Sequence, residues 1–391
     1  MFVLGVVSLF TDISSEMIMP VRIIFLVGVL GTPLLLAGLI EGIAESTASI
    51  VKIFSGRLAD SSLRKPLILF GYGLSNAVKP MLALVSSWPP ALVLIFFDRT
   101  GKGVRGSPRD AMIADATDAA YQGKAFGFHR AMDTFGAALG PLFAALILAL
   151  GNQNLRLVFA WTLLPGVLSV LVLIIFLREP RREVKVEKAK ASAPTLPFWQ
   201  RLALLGAPFW MFTLISTLFS LGNSSDAFIF LRTAGLESFL EAVPLAYFGY
   251  NIVYALLSTP LGVLSDRFGR IPVLLAGYIS FGLVYMGWAT AAPGLEPWLL
   301  FLLYGVYSAA TEGVGKALVS DLIPRGQRGA AMGWFNGLTG FAALPANLLG
   351  GWLWASFGPA ATFNFGAMVA FAAALLLFLA SNRFRKAEAV V

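Results

Sequence analysis

Twelve apolar segments of about 20 residues follow one another along this chain, and they restrict its fold more than any other feature. They lie near residues 3–30, 33–55, 66–87, 90–113, 123–150, 156–177, 204–232, 239–261, 271–292, 297–319, 328–355 and 360–381. A helix of this length crosses the hydrocarbon core of a lipid bilayer. Hydrophobic residues make up 58% of the chain and charged residues 13%, whereas a soluble domain carries about 25% charged residues. The sequence therefore predicts an all-α membrane protein with twelve transmembrane helices.

Basic residues concentrate in the connections that follow the even-numbered segments. They are Arg57, Arg64, Lys65, Lys124, Arg267, Arg270, Arg325 and Arg328, seven more between residues 178 and 202, and Arg383, Arg385 and Lys386 in the tail. Lysine and arginine are retained on the cytoplasmic side of a membrane. We therefore expect both termini and the long connection in the cytoplasm, and the helices in the plasma (inner) membrane. Orientation then explains the net charge of +8, and we predict no nucleic-acid partner.

The chain also repeats itself, which indicates two halves. The sequence GRLAD at 56–60 returns as GVLSD at 262–266, and the same offset of 206 aligns Asp115 with Asp321. We predict an N-terminal six-helix bundle at 1–177, a charged cytoplasmic linker at 178–202, and a C-terminal six-helix bundle with a short tail at 203–391. Inverted or parallel repeats of this kind bind their substrate at the interface of the repeats and move against one another.

These motifs resemble those of the major facilitator superfamily, and the resemblance covers essentially the whole chain. The family pattern G-x-L-x-D-R-x-G-R is complete at Gly262–Arg270, while the first copy keeps Gly56, Leu58 and Asp60 but has Ser61 and Leu63 at two family positions. The resemblance implies two pseudo-symmetric bundles that alternate in opening to either side of the membrane. It also implies a cytoplasmic gate, for which the candidates are Asp60, Arg64, Asp266, Arg267 and Arg270.

A second motif, Gly136, Gly140 and Pro141 in the fifth segment, resembles the antiporter motif of exporters in this superfamily. Glycines four residues apart let two helices approach closely, and a proline inside a helix permits a bend. Plain helix packing, which an importer would need as well, is the alternative interpretation. The motif favours export over import.

The N-terminal half carries an unusual number of charges at membrane depth. Asp98, Lys102, Arg105 and Arg109 share one face of the fourth segment. Counted over the first five segments, seven acids (Asp12, Glu16, Glu41, Glu45, Asp98, Asp110 and Asp133) balance seven bases (Arg22, Lys79, Arg99, Lys102, Arg105, Arg109 and Arg130). This balance predicts that most are paired across helices, because an unpaired buried charge is strongly unfavourable. A permanent network and a polar transport pathway are both compatible with it.

Carboxylates that lie close together can change protonation state between conformations. Our candidates for proton coupling are Glu16, Glu41, Glu45 and Asp98, and the role of His129 is left open between packing, gating and proton relay. Candidate substrate-binding residues are the basic side chains Lys79, Arg99, Lys102 and Arg105 and the polar or aromatic side chains Tyr247, Asn251, Trp334 and Asn336.

Several other classes of activity lack support in the sequence. The chain has no cysteine and one histidine, so we predict no metal site and no cofactor, and no nucleotide-binding loop is present. We predict a monomeric transporter rather than an enzyme, driven by protons and exporting a small organic molecule such as a drug or metabolite. The alternatives are uptake or exchange of an organic anion, lipid or lysolipid translocation, and a non-transporting membrane sensor.

Overall fold

The computed structural model describes residues 2–61, 64–117, 122–177, 205–323 and 327–388. The predicted linker at 178–202 lies outside these ranges, as do the side chains of Gly56 to Ser61, including that of Asp60. Within the described ranges the chain is helical and contains no strand. The predicted all-α fold is therefore confirmed.

The helices follow the twelve predicted segments closely. The N-terminal half comprises α1 (Phe2–Ile24, extended by a π-helical turn at Phe25–Val29), α2 (Leu34–Ser61), α3 (Arg64–Met81, followed by a 3₁₀ turn at Leu82–Leu84), α4 (Trp88–Asp115), α5 (Gln122–Leu150), and α6 (Leu155–Trp161) with α7 (Leu163–Phe176). The C-terminal half comprises α8 (Gly206–Gly222) with α9 (Asp226–Leu236), α10 (Ala242–Phe268), α11 (Arg270–Thr290), α12 (Leu295–Asp321), α13 (Arg328–Phe357) and α14 (Pro359–Glu388).

Nine of the helical segments in the described ranges are long and apolar enough to cross a membrane. The other three predicted spans correspond to α4, α12 and α13, which have 28, 27 and 30 residues. A helix of 27 residues is about 40 Å long, which exceeds the hydrocarbon thickness of about 30 Å. Length therefore allows these three helices to span as well.

The sixth and seventh segments differ from the prediction, because each is two helices rather than one, and the break in the seventh is the longer. Helix α8 ends at Gly222 and α9 begins at Asp226. The hydroxyl of Ser225 caps α9 by accepting a hydrogen bond of 3.3 Å from the backbone N–H of Ala227. Serine and asparagine side chains compete for backbone hydrogen bonds and favour helix ends over helix interiors. An average of hydropathy over about 20 residues does not register such a three-residue break.

Equivalent helices pack in the same way in the two halves. Helix α2 packs on α4 as α10 packs on α12, α3 packs on α4 as α11 packs on α12, and α1 packs on α7 as α8 packs on α14. Between the halves, α2 packs on α13 and α5 packs on α10. The interface between the halves therefore runs along α2 and α13 on one side and along α5 and α10 on the other.

The halves lie closest at the end of the bundle opposite to the one where α1 begins, which we call the far end. A Cβ atom added to Gly351 of α13 would lie 2.6 Å from the carbonyl oxygen of Leu34 at the start of α2. In the adjoining connections, the backbone N–H of Leu240 donates to the side-chain oxygen of Gln153 at 2.7 Å. The far end is therefore closed by direct contacts between the two halves.

Candidate functional site

Two polar cavities lie between the halves, and they share Ser49 and Lys52 of α2. The first has a volume of about 370 Å³ and is lined by Asp12, Glu16, Ala48, Ser49, Lys52, Lys102, Gly103, Arg105, Gly106, Arg109, Arg130, Asp133, Thr134, Ala137, Asn251 and Tyr254. The second has a volume of about 640 Å³ and is lined by Glu45, Ser49, Lys52, Ser107, Ser220, Asn223, Lys316, Gly333, Asn336, Gly337, Thr339, Gly340 and Ala343. We refer to the first as the charged cavity. We refer to the second, whose lining is mostly uncharged, as the neutral cavity.

Glu16 of α1 faces the charged cavity and contacts the other half of the molecule. Its carboxylate accepts a hydrogen bond of 3.1 Å from the hydroxyl of Tyr247 on α10. Gly140 of α5 packs directly behind it, since an added Cβ atom would lie 2.7 Å from the Cβ of Glu16. The glycine motif therefore holds α5 against the part of α1 that carries this carboxylate.

Glu45 of α2 faces the neutral cavity and also contacts the opposite half. Its carboxylate accepts a hydrogen bond of 3.2 Å from the side-chain amide of Asn347 on α13. The amide oxygen of Asn347 in turn accepts a hydrogen bond of 2.6 Å from the backbone N–H of Ser225, at the break between α8 and α9. Asn347 thus links a carboxylate of one half to the broken helix of the other.

Glu41, another predicted proton-coupling residue, is enclosed in an ion pair. The Nε atom of Arg22 donates to its carboxylate at 2.8 Å, and the second carboxylate oxygen contacts the Nη2 atom of the same arginine. Arg22 is 4% exposed and Glu41 is fully buried. In this conformation the Glu41 carboxylate is paired on both oxygens and lines neither of the two cavities.

Two predicted basic ligands also lie away from the cavities. The amine of Lys79, 1% exposed, donates to Ser15 at 2.8 Å and to Asn76 at 3.1 Å. Arg99 lies 3.6 Å from its chain neighbour Asp98, whose carboxylate also accepts a hydrogen bond of 2.6 Å from Ser75. Lys79, Arg99 and Asp98 do not line either of these two cavities of the described residues.

The charged line of α4 is therefore divided. Its first member, Asp98, faces α3, whereas Lys102, Arg105 and Arg109 line the charged cavity. The guanidinium of Arg105 is 3% exposed and lies 4.3 Å from the ring centre of Tyr72, a cation–π contact that fixes its position. Within the described residues, its Nη1 atom is buried and has no hydrogen-bond partner.

The predicted pairing of charges across helices is only partly correct. Within the described residues, only one pair of opposite charges among the fourteen lies within 4 Å and joins two helices. This pair is Arg22 with Glu41. The pairs Asp98–Arg99 and Arg109–Asp110 join neighbours in α4. The other charges face water-accessible space or neutral partners, because the cavities reach deep between the helices.

The opposite wall of the charged cavity is built on α10. The rings of Tyr247, Tyr250 and Tyr254 stack along this helix with centre-to-centre distances of 5.3 and 6.2 Å. Tyr254 donates to Glu312 at 2.8 Å and accepts from Arg130 of α5 at 3.2 Å. The predicted residue Asn251 lines the same cavity.

The remaining candidates are dispersed. Asn336 lines the neutral cavity, whereas Trp334 packs edge-on against Trp210 with ring centres 6.0 Å apart. At the gate motif, Arg270 contacts Asp266 and lies 3.0 Å from Asp321, so the described part of this motif is joined within its own half. Arg267 is exposed and Arg64 begins α3.

Sequence reasoning did not select Asp12, Lys52, Asp226 and Asn347 as site residues. Asp12 and Lys52 line the charged cavity, and Asp226 accepts a hydrogen bond of 2.7 Å from Tyr304. Asp12 was counted among the membrane charges, and its spacing of four residues from Glu16 was the available signal. Asn347 carries no such signal, since it becomes important only through contacts between the halves.

A bundle of two similar six-helix halves with polar cavities between them is an arrangement found in membrane transporters that are built from repeats. The chain belongs to the Major Facilitator Superfamily, whose profile matches residues 4–247 and 240–389. It is 36% identical over 383 residues to an uncharacterized MFS-type transporter of Methanocaldococcus jannaschii, covering 96% of this chain and 93% of that protein.

More distant relatives include proteins named for drug resistance. The chain is 24% identical over 277 residues to the fosmidomycin resistance protein of Escherichia coli, covering 69% of this chain and 66% of that protein. In three dimensions it is similar to the nucleoside transporter NupG, with a TM-score of 0.80, 15% identity, and coverage of 97% and 98% of the two chains. The D-xylose–proton symporter gives a TM-score of 0.75 at 18% identity, with 96% of each chain covered. These structural similarities show the shared fold.

Proposed function

We propose that this chain is a proton-coupled transporter that exports a small organic molecule by alternating access. One observation carries the proposal: Glu16 and Glu45 each face a polar cavity and each accept a hydrogen bond from the opposite half. Proton uptake by such a carboxylate changes the bond that joins the halves. The state of the carboxylate and the separation of the halves are then parts of one equilibrium.

The strength of these hydrogen bonds determines whether protonation favours or opposes contact between the halves. A hydrogen bond to an ionised carboxylate is about twice as strong as one between neutral groups. Ionised Glu16 and Glu45 therefore favour contact with Tyr247 and Asn347, and protonation weakens both contacts. In this proposal, protons that enter from the far end load the carboxylates when the halves are apart there, and are released on the other side.

Export is supported by two further observations. Gly136 and Gly140 form the antiporter-like motif, and they contact α1 directly at Asp12 and Glu16. Among the relatives are the fosmidomycin resistance protein and a tetracycline resistance protein of class B, the latter 31% identical over 104 residues. We place both chain termini in the cytoplasm, as the basic residues predict, so that export runs towards the far end.

The test is proton movement in liposomes that contain the purified protein and a pH-sensitive dye. With a proton gradient imposed, we expect that adding tetracycline or fosmidomycin as probe accelerates proton flux. Glu16→Gln and Glu45→Gln should each abolish this acceleration. Glu296→Gln, an exposed position at the start of α12, is the matched control and should retain it. Undiminished coupled flux in the Glu16→Gln, Glu45→Gln double variant would contradict the proposed coupling role.

A further inference from the structure

The charged cavity has two walls of opposite sign. Asp12 and Glu16 of α1 form the acidic wall, while Lys52 of α2 with Lys102 and Arg105 of α4 form the basic wall. Within the described residues, no ion pair of 4 Å or less involves any of these five side chains. Opposite charges therefore face each other across open space and are not in direct contact.

The other charges of this cavity have partners inside the protein. Arg109 pairs with Asp110 at 2.8 Å, Arg130 donates to Tyr254 at 3.2 Å, and Asp133 lies 3.4 Å from Nδ1 of His129. Arg130, like Glu16, has only a neutral tyrosine hydroxyl as a partner within the described residues. Apart from Arg130, the charges of this cavity without a close protein counter-charge lie on the two walls, one acidic and one basic. A ligand that satisfied only one wall would leave the other uncompensated.

Arg105 is the most specific feature of the basic wall. Its guanidinium is 3% exposed, is held against Tyr72, and has a buried Nη1 atom without a partner although the residue lines the cavity. A buried donor without a partner is unfavourable, so an acceptor supplied by a ligand would be bound preferentially.

We propose that the charged cavity binds a zwitterionic small molecule, with its anionic group at Arg105 and Lys102 and its cationic group at Asp12 and Glu16. This inference rests on the proposed function, since it names the substrate class of the exporter. The volume of about 370 Å³ lies in the range of small-molecule sites, about 300–1,000 Å³. Asn251 and Tyr254 on the other half complete the enclosure.

The arrangement gives a physical reason for exchange with protons. A cationic group of the substrate and a proton compete for the same carboxylates, so each weakens binding of the other. The charged and titratable groups that act on Asp12 and Glu16 from neighbouring helices are Lys79, Arg99, Lys102, Arg105, Asp133, Asp226 and Tyr247. A purely anionic substrate would have the reverse effect, because protonation of the acidic wall would favour its binding.

The experiment uses three probes of one shape: 4-(aminomethyl)benzoate, which is zwitterionic, 4-methylbenzoate, which is anionic, and 4-methylbenzylamine, which is cationic. Calorimetric titration of the purified full-length protein should show that the zwitterion binds about tenfold more tightly than either singly charged probe. Arg105→Gln should reduce its affinity to that of the amine, and Asp12→Asn to that of the carboxylate. Arg383→Gln, in the exposed end of α14, is the matched control and should change nothing.

Equal affinities for the three probes, preferential binding of 4-methylbenzoate or of the amine, or no binding of any probe at millimolar concentration would each overturn the assignment. If Arg105→Gln does not fold, Lys102→Gln at the exposed position of the same wall tests it instead. Binding is measured without a gradient, so this result is independent of the proton-flux test. Zwitterion binding without coupled flux would refute only the proposed function, and coupled flux without zwitterion preference would refute only this inference.

Discussion

The side-chain oxygen of Gln153 accepts a hydrogen bond of 2.7 Å from the backbone N–H of Leu240, and this bond joins the two halves at the far end. Gln153 and its neighbour Asn152 both have positive φ angles, of 62° and 51°. Non-glycine residues adopt this conformation at an energetic cost, which other contacts of the loop must offset. The hydrogen bond across the interface is one such contact. Closure of the far end thus depends in part on one short loop.

Replacing Gln153 by alanine should loosen the far end. Loss of one hydrogen bond of this kind changes an equilibrium by about 0.5–1.5 kcal/mol, so the open population should rise about twofold to tenfold. The chain has no cysteine, and a single Leu34→Cys substitution therefore gives a clean reporter beside Gly351. Maleimide should label this cysteine faster in Gln153→Ala than in the parent, and equal rates would show that the loop does not hold the far end closed.

Replacing Asn347 by leucine, which has a similar size, should disconnect Glu45 from the broken helix. The Glu45 carboxylate loses one hydrogen bond and the buried Ser225 N–H loses its acceptor, and an unsatisfied buried group is unfavourable by about 1–3 kcal/mol. We expect a lower Tm and loss of coupled proton flux in liposomes. Ser356→Leu, on the same helix but exposed and outside both cavities, is the control, and a normal flux in Asn347→Leu would contradict the linkage.

Substitutions that break the Arg22–Glu41 ion pair should lower the stability of the protein more than its rate of transport. Removing one partner of a buried ion pair destabilises a protein by about 3–5 kcal/mol, so Arg22→Met alone should sharply lower the Tm. The double variant Arg22→Met, Glu41→Leu should recover most of this loss, since no buried charge is left. Transport by the double variant at a rate close to the parent would support a packing role, whereas an inactive, stable protein would restore Glu41 as a coupling residue.

The glycine motif should tolerate no side chain at Gly140. An alanine Cβ would lie 2.7 Å from the Cβ of Glu16 and 2.9 Å from the carbonyl oxygen of Ile13, so α5 must move away from α1. We expect destabilisation of about 1–3 kcal/mol together with impaired transport, measured by thermal unfolding and flux. Gly127→Ala lies on the same helix with nothing within 4 Å of the added atom, and it should be neutral.

The positions of the helices could be predicted from the sequence because apolar length and charged connections are local properties. The spacing of Lys102, Arg105 and Arg109 likewise placed three side chains on one helix face, and all three line one cavity. Asp98 shares that face, yet its carboxylate accepts a hydrogen bond from Ser75 of α3 and lines neither cavity. The helical period predicts which residues share a face of a helix. It does not predict which neighbouring helix that face contacts at each depth.

Contacts between the halves could not be predicted. Tyr247 with Glu16 and Asn347 with Glu45 are separated by 231 and 302 residues, and each pair meets only in a particular arrangement of the two bundles. The glycine spacing predicted a close approach of α5 to another helix, but α1 as the partner follows from the tertiary structure. The break at Asn223–Ser225 was detectable as a capping signature, Ser225 before Asp226, inside an apolar segment.

The break also divides the packing contacts of the seventh span between the two halves. Helix α9, 11 residues long, contacts α1 of the opposite half, while α8 is packed against α13 and α14 of its own half. Helix α9 therefore joins the seventh span to the opposite half, and Asn347 holds the start of this helix at Ser225. Through one helix of 11 residues, α1 and the carboxylate of Glu45 are both connected to the same break.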